Sequence, residues 1–162
     1  MNTKSMSDGA SVVLWHWHGG EPGALARARA ALENALSGLG YDGEAVSDAV
    51  LAVSELVANA VEHAVGPYEL RLRRTATDVI CEVVDNDPEI PSFAVDALLT
   101  PVREGRGSGL ETLCTLLSER GRGLYIVHEL TRGAWGFRRS GVTKAAWIAL
   151  TLPVDGEGQS GD

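Results

Sequence analysis

Hydrophobic and polar positions alternate from Val12 to His18, VVLWHWH, a period of two that predicts a strand. After the punctuation GGEPG the period lengthens. Ala24, Leu25, Ala28, Leu32, Ala35 and Leu36 recur on one side of a helix running from about Pro22 to Ser37. Pro22 suits its first turn, and Gly38 and Gly40 suit its exit. A second helix is predicted within YDGEAVSDAVLAVSELVANAVEHAVGP, capped by Asp42 and ended by Gly66-Pro67, with Ala49, Val50, Val53, Val57, Ala60, Val61 and Ala64 as its apolar sides. The period then returns to two in YELRLRRT and VICEVVD, and the short link Ala76, Thr77, Asp78 makes them a hairpin.

From Asp87 to Arg120 regularity falls away. DPEIPSF reads as extended, DALLT as a short helical piece, REGRGSG as flexible and LETLCTLLSER as a helix; a segment this weakly patterned is usually functional or mobile. GRGLYIVHEL is a glycine-rich turn feeding a helix, and AWGFRR and AAWIALTL are two further strands around Ser140-Gly141. No internal repeat is evident. Strand pairs on short turns, with helices clustered between them, predict an α+β fold: a two-layer sandwich with a mixed, mostly antiparallel sheet and helices packed on one face.

Composition narrows this picture. The chain has 162 residues, 44% hydrophobic and 22% charged, which suits one domain with a full core. Residues 1–10 and 154–162 are polar and predicted disordered, leaving 11–153 as the folded unit. Cys81 and Cys114 stand far apart among apolar neighbours, as buried thiols rather than a disulfide or zinc framework. No signal-peptide pattern and no apolar run of about 18 residues occurs, so the expected location is the cytoplasm, without a membrane. A formal charge of -8 argues against direct nucleic-acid binding, which needs clustered cations.

The chemistry is concentrated in three places. On the second helix Glu55, Asn59 and His63 recur every four residues and form one polar stripe, with Glu62 at its edge. Taken alone, such a stripe is also the pattern of a solvated helix face. At the end of VICEVVD, Asp85 shares a strand face with Val79, Cys81 and Val83, so a carboxylate emerges beside buried residues. It could accept from the amino group of an adenine, or serve as an ordinary turn residue before Asn86. In GRGLYIV, Gly121 and Gly123 precede an apolar helix, where bare amides and the positive helix end can meet phosphate, although glycines there also simply make turns.

These features occur in an order that resembles the anti-sigma-factor serine/threonine kinases, small single-domain proteins of the superfamily of gyrase-type ATPases and histidine-kinase catalytic domains. The matching stretches are ELVANAVEH, the Asp of VVDNDPEIP, GRGLYIV and GVTKAAWIAL, spread from about Pro22 to Leu152. The resemblance implies the Bergerat ATP-binding fold, ATP and magnesium as cofactors, and a lid at about residues 87–120. It implies that Asn59 coordinates magnesium and that Glu55 orients or deprotonates the attacking hydroxyl. Asp85 would read adenine, Gly121, Gly123 and Leu124 would meet the phosphates, and Thr143 would support Asp85. His63 and Arg122 would be phosphate-side neighbours. The partners implied are an anti-anti-sigma (STAS-type) protein as substrate, a sigma factor, and a second copy of the chain. One departure stands out: Asp87 occupies a place where the family often has glycine. The alternative expectation is a module of the same fold that sequesters a partner without transferring phosphate, with or without nucleotide. A detached histidine-kinase catalytic domain is disfavoured, because the chain shows no dimerisation hairpin.

Other candidates weigh less. His16 and His18 share a strand face but lack a third ligand. His128 is expected to terminate its helix favourably, Arg103 and Arg106 to offset phosphate charge or stay solvated, and Trp135 and Trp147 to be core aromatics. No GxSxG or HExxH is present, so hydrolase readings have no nucleophile or metal pair.

Overall fold

The computed structural model describes residues 9–90 and 123–154. Among them, five strands and three helices follow in the order β1 (Ser11–Trp17), α1 (Ala24–Gly38), α2 (Gly43–His63), β2 (Tyr68–Arg74), β3 (Asp78–Asp85), α3 (Gly123–Thr131), β4 (Trp135–Ser140) and β5 (Thr143–Thr151). The strands form one sheet of order β1-β2-β3-β5-β4, and every neighbouring pair is antiparallel. The expected, mostly antiparallel sheet of an α+β sandwich is present, and among the described residues it holds no parallel pair. Two helices separate β1 from β2, so the chain crosses the layer twice and β2 returns against β1. A single crossover helix would have made them parallel.

α1 starts two residues later than its pattern suggests, because Gly23 adopts a left-handed conformation with φ 74 that a helix cannot contain. Asp42 caps α2 as expected: its Oδ1 accepts from the Ala45 N–H at 2.8 Å. The exit of α2 is an extended Ala64, and Pro67 shortly after cannot continue the helix. In β1 the register shifts between Val13 and Trp15, a bulge that the strict alternation did not anticipate. Val12, Trp15 and Trp17 all oppose the core-facing Leu72, Leu70 and Tyr68 as a result.

The core lies between the helices and one sheet face. Leu32 and Leu36 from α1, Leu56 from α2, Leu70 and Leu72 from β2, Cys81 and Val83 from β3, Val127 from α3 and Ile148 from β5 are fully enclosed. Truncating any of the leucines to Ala should cost about 2–5 kcal/mol. Burial holds the Cys81 thiol proton, pushing its pKa up to about 12, as suits an inert core thiol. Leu25 and Val61, expected on apolar faces, are instead exposed.

Trp135 is buried and donates its indole N–H to His128 Nδ1 at 3.1 Å. Trp147 corrects the expectation of a second core aromatic. It stands opposite Gly136 and Glu82 on the other sheet face, where a Cβ on Gly136 would meet its ring at 2.8 Å. Cys114, Arg103, Arg106 and the segment expected as a lid lie, beyond residue 90, outside the described residues. Among the described residues, no helix is long and apolar enough to cross a membrane.

Candidate functional site

Asp85 is the last residue of β3, and the strand end is tied to the exit of α2. The Asn86 N–H donates to the Val65 carbonyl at 2.9 Å, and the Asn86 side-chain amide donates to the Pro67 carbonyl at 2.7 Å. These bonds bring the Asp85 carboxylate beneath the last turns of α2. The chain then folds through two Asx turns: Asp85 Oδ1 accepts from Asp87 N–H at 2.9 Å, and Asp87 Oδ1 accepts from Glu89 N–H at 3.0 Å. Arg139 on β4 pins this loop by donating to the Pro88 carbonyl at 2.9 Å.

The strand register places Lys144 of β5 directly opposite Asp85. Its ammonium is 3.0 Å from both carboxylate oxygens and donates to the Asp87 carbonyl at 3.0 Å. Both side chains are buried, at 7% and 2% relative exposure for Lys144 and Asp85. Burial raises the Asp85 pKa above its ordinary value, while the Asp87 N–H and the Lys144 ammonium pull it back. Lys144 was not singled out from the sequence. It lies on a mostly apolar strand, and only the pairing of β3 with β5 gives its charge a partner.

A cleft of about 240 Å³ opens above this pair. Leu56, Ala60, Leu124, Phe137 and Ala146 give it apolar walls, while Asn59, His63, Asp85, Asp87, Glu89 and Lys144 supply its polar groups. Of the polar stripe on α2, Asn59 and His63 line the cleft. His63 is exposed, and its Nε2 lies 3.7 Å from Glu62 Oε2, an ion pair only when the imidazole is protonated.

Glu55, one turn before Asn59, points at the start of α3. A Cβ on Gly123 would meet its Oε2 at 2.7 Å, so glycine there is what lets the carboxylate approach the positive helix end. Leu124 is buried and lines the cleft. Thr143 begins β5. It pairs with Ser140 at the mouth of the β4–β5 hairpin and donates to the Ser140 carbonyl at 2.8 Å, while its strand neighbour Lys144 holds Asp85. Gly121 and Arg122 lie outside the described residues. His16 and His18 stack edge to face at 5.2 Å, and no cluster of three metal-binding side chains exists among the described residues.

Residues 20–150 match the sequence family described as the histidine kinase-like ATPase domain. The chain belongs to that family. It is an ATP-binding domain of the histidine kinase-like type, and its α+β architecture is that of the family. Among solved structures it is similar to the histidine kinase domain of the E. coli osmosensor EnvZ, with 15% identity, a TM-score of 0.47 and 98% of each chain covered. No match is found among curated proteins.

The described residues suit the base end of a nucleotide. Apolar walls with a buried carboxylate among them suit a flat heterocycle with an amino group, and the volume is below the roughly 300–1,000 Å³ of pockets that enclose a whole ligand. For magnesium, the side-chain oxygen of Asn59, on the cleft wall, is of the hard oxygen type the ion takes.

Proposed function

We propose that this ATP-binding domain is an anti-sigma regulatory factor that phosphorylates serine or threonine on an anti-anti-sigma protein of STAS type and binds a sigma factor in a partner switch. The observation that carries the reading is the α2 stripe meeting the Asp85 cleft: Asn59 and His63 line it, and Glu55 stands one helical turn earlier against the start of α3. Asp85 accepts from the amino group of adenine. The Asn59 oxygen would hold magnesium, which when bound would neutralise charge on the phosphate oxygens. Glu55 orients the attacking hydroxyl and takes its proton. The protein works in the cytoplasm, and a second copy of the chain is its expected homodimer partner.

Calorimetric titration with ATP, with and without magnesium, tests the site before any protein partner is known. Binding that strengthens with magnesium supports it, and no heat at high protein concentration overturns it. Phosphotransfer to a STAS-type protein then tests the kinase assignment, with Glu55→Gln expected to bind ATP and fail to transfer phosphate.

A second reading has its own observation. Asp85 already holds a buried cation, and the carboxylates of Asp87 and Glu89 stand at the same cleft, where phosphate charge would be repelled. That arrangement favours a module that sequesters its partner without transferring phosphate. Transfer at a measurable rate in the wild type removes this reading.

A further inference from the structure

Lys144 is a buried polar group of the cleft to which the kinase reading gives no role. Its ammonium carries three protons and faces three acceptors, the two Asp85 oxygens and the Asp87 carbonyl, each at 3.0 Å. Among the described residues the ammonium makes two hydrogen bonds, to Asp85 Oδ1 and to the Asp87 carbonyl, with Oδ2 in ion-pair contact beside the first, so two protons serve these three oxygens. The third is left for the cleft that Lys144 lines. Asp85 has a matching surplus. Its Oδ1 is shared between Lys144 and the Asp87 N–H, whereas Oδ2, among the described residues, meets Lys144 alone and keeps a lone pair open. A donor and an acceptor thus stand side by side in a cleft whose apolar walls include Leu56, Ala60, Leu124, Phe137 and Ala146.

The pairing edge of adenine presents the complementary order, an amino donor beside the acceptor N1. Guanine reverses it, with an oxygen where adenine has its amino group and a proton on N1. We propose that Lys144 is a specificity-determining residue that donates directly to N1 of adenine while Asp85 accepts from the amino group. The inference rests on the nucleotide reading of the cleft and adds the group that reads the ring nitrogen. A lysine that only neutralised Asp85 would not distinguish ligands by the atom at N1.

The test is titration of ATP and of 1-deaza-ATP, in which C–H replaces N1, into the wild type, Lys144→Met and Lys144→Gln. The wild type is expected to bind ATP about ten- to a hundredfold more tightly than 1-deaza-ATP, the range of a hydrogen bond to a charged group. Lys144→Met should lose that preference, and Lys144→Gln, which keeps a neutral donor, should recover part of it. Equal binding of the two nucleotides by the wild type overturns the inference and leaves the nucleotide site standing. Binding of neither overturns the site and the inference together. A preference that persists undiminished in both variants assigns N1 to another group and also overturns it. Should Lys144→Met fail to fold, the double variant Asp85→Asn/Lys144→Met, which leaves no buried charge, replaces it, and the wild-type ratio still decides.

Discussion

Two acidic residues three positions apart on β3 are almost equally buried, yet they sit in different electrostatic worlds. Asp85 faces the helices and is paired with Lys144, itself 7% exposed. Glu82 faces the opposite side of the sheet, where Arg73 and Arg138 reach it at 3.4 and 3.0 Å with side chains 33% and 47% exposed. The arginines keep much of their hydration and cover Glu82 from the solvent side. Lys144 has given up its hydration almost entirely. A fully desolvated pair is seldom a net gain over apolar packing, so its presence in the lining of a cleft points to ligand recognition, whereas the Glu82 cluster is explained by covering the open sheet face.

The sharpest way to break this comparison is to remove one cation from each cluster. Lys144→Met should cost about 3–5 kcal/mol in chemical denaturation, because it strands a buried carboxylate. Asp85→Leu combined with Lys144→Met should restore most of that loss, and a single-variant cost as small as that of a surface pair would make the two clusters equivalent. Next in size is binding: Asp85→Asn should weaken ATP by about tenfold or more in calorimetry, since it converts an ionised acceptor to a neutral one, while Glu82→Gln leaves affinity unchanged. Glu82→Gln itself should cost only about 1 kcal/mol, because its arginines return to water.

Proton linkage separates the clusters further. Burial raises the Asp85 pKa above 3.8, so the folded chain holds this proton more tightly than the unfolded one. Its contribution to stability is present below that ordinary value and is lost as pH rises through the raised one. Lys144→Met removes a group that lowers this pKa, so the loss should extend to higher pH, read as a melting temperature that still falls with pH where that of Glu82→Gln no longer does. The smallest effect on the fold is expected from Gly123→Ala, within about 0.5 kcal/mol, since the tight contact of the new methyl is with the flexible end of Glu55, whose Oε2 it would meet at 2.7 Å. The displaced carboxylate should nonetheless abolish phosphotransfer, which an assay against a STAS-type protein would measure.

Much of the fold was legible because its signals are local. The period of two found β1, β2 and β3 closely, and Asp42 and the Gly66-Pro67 step marked the limits of α2. The errors arose where tertiary packing overrides local pattern. Leu25 and Val61 carry apolar side chains on faces that no described element covers, Trp147 falls on the open side of β5, and the bulge in β1 resets which of its residues face inward.

The candidate site divides the same way. By itself the sequence determined that Asn59 and His63 share a helix face and that Asp85 leaves a strand beside core residues, because helix and strand periods are properties of the backbone alone. Only the tertiary structure decided which groups those residues meet. Lys144 lies 59 positions from Asp85 in the chain, and its place opposite that carboxylate follows from the register of two strands that are not consecutive. That register is set by matching the apolar faces of β3 and β5 against the helices, an energy that belongs to the whole core and to no single stretch of sequence.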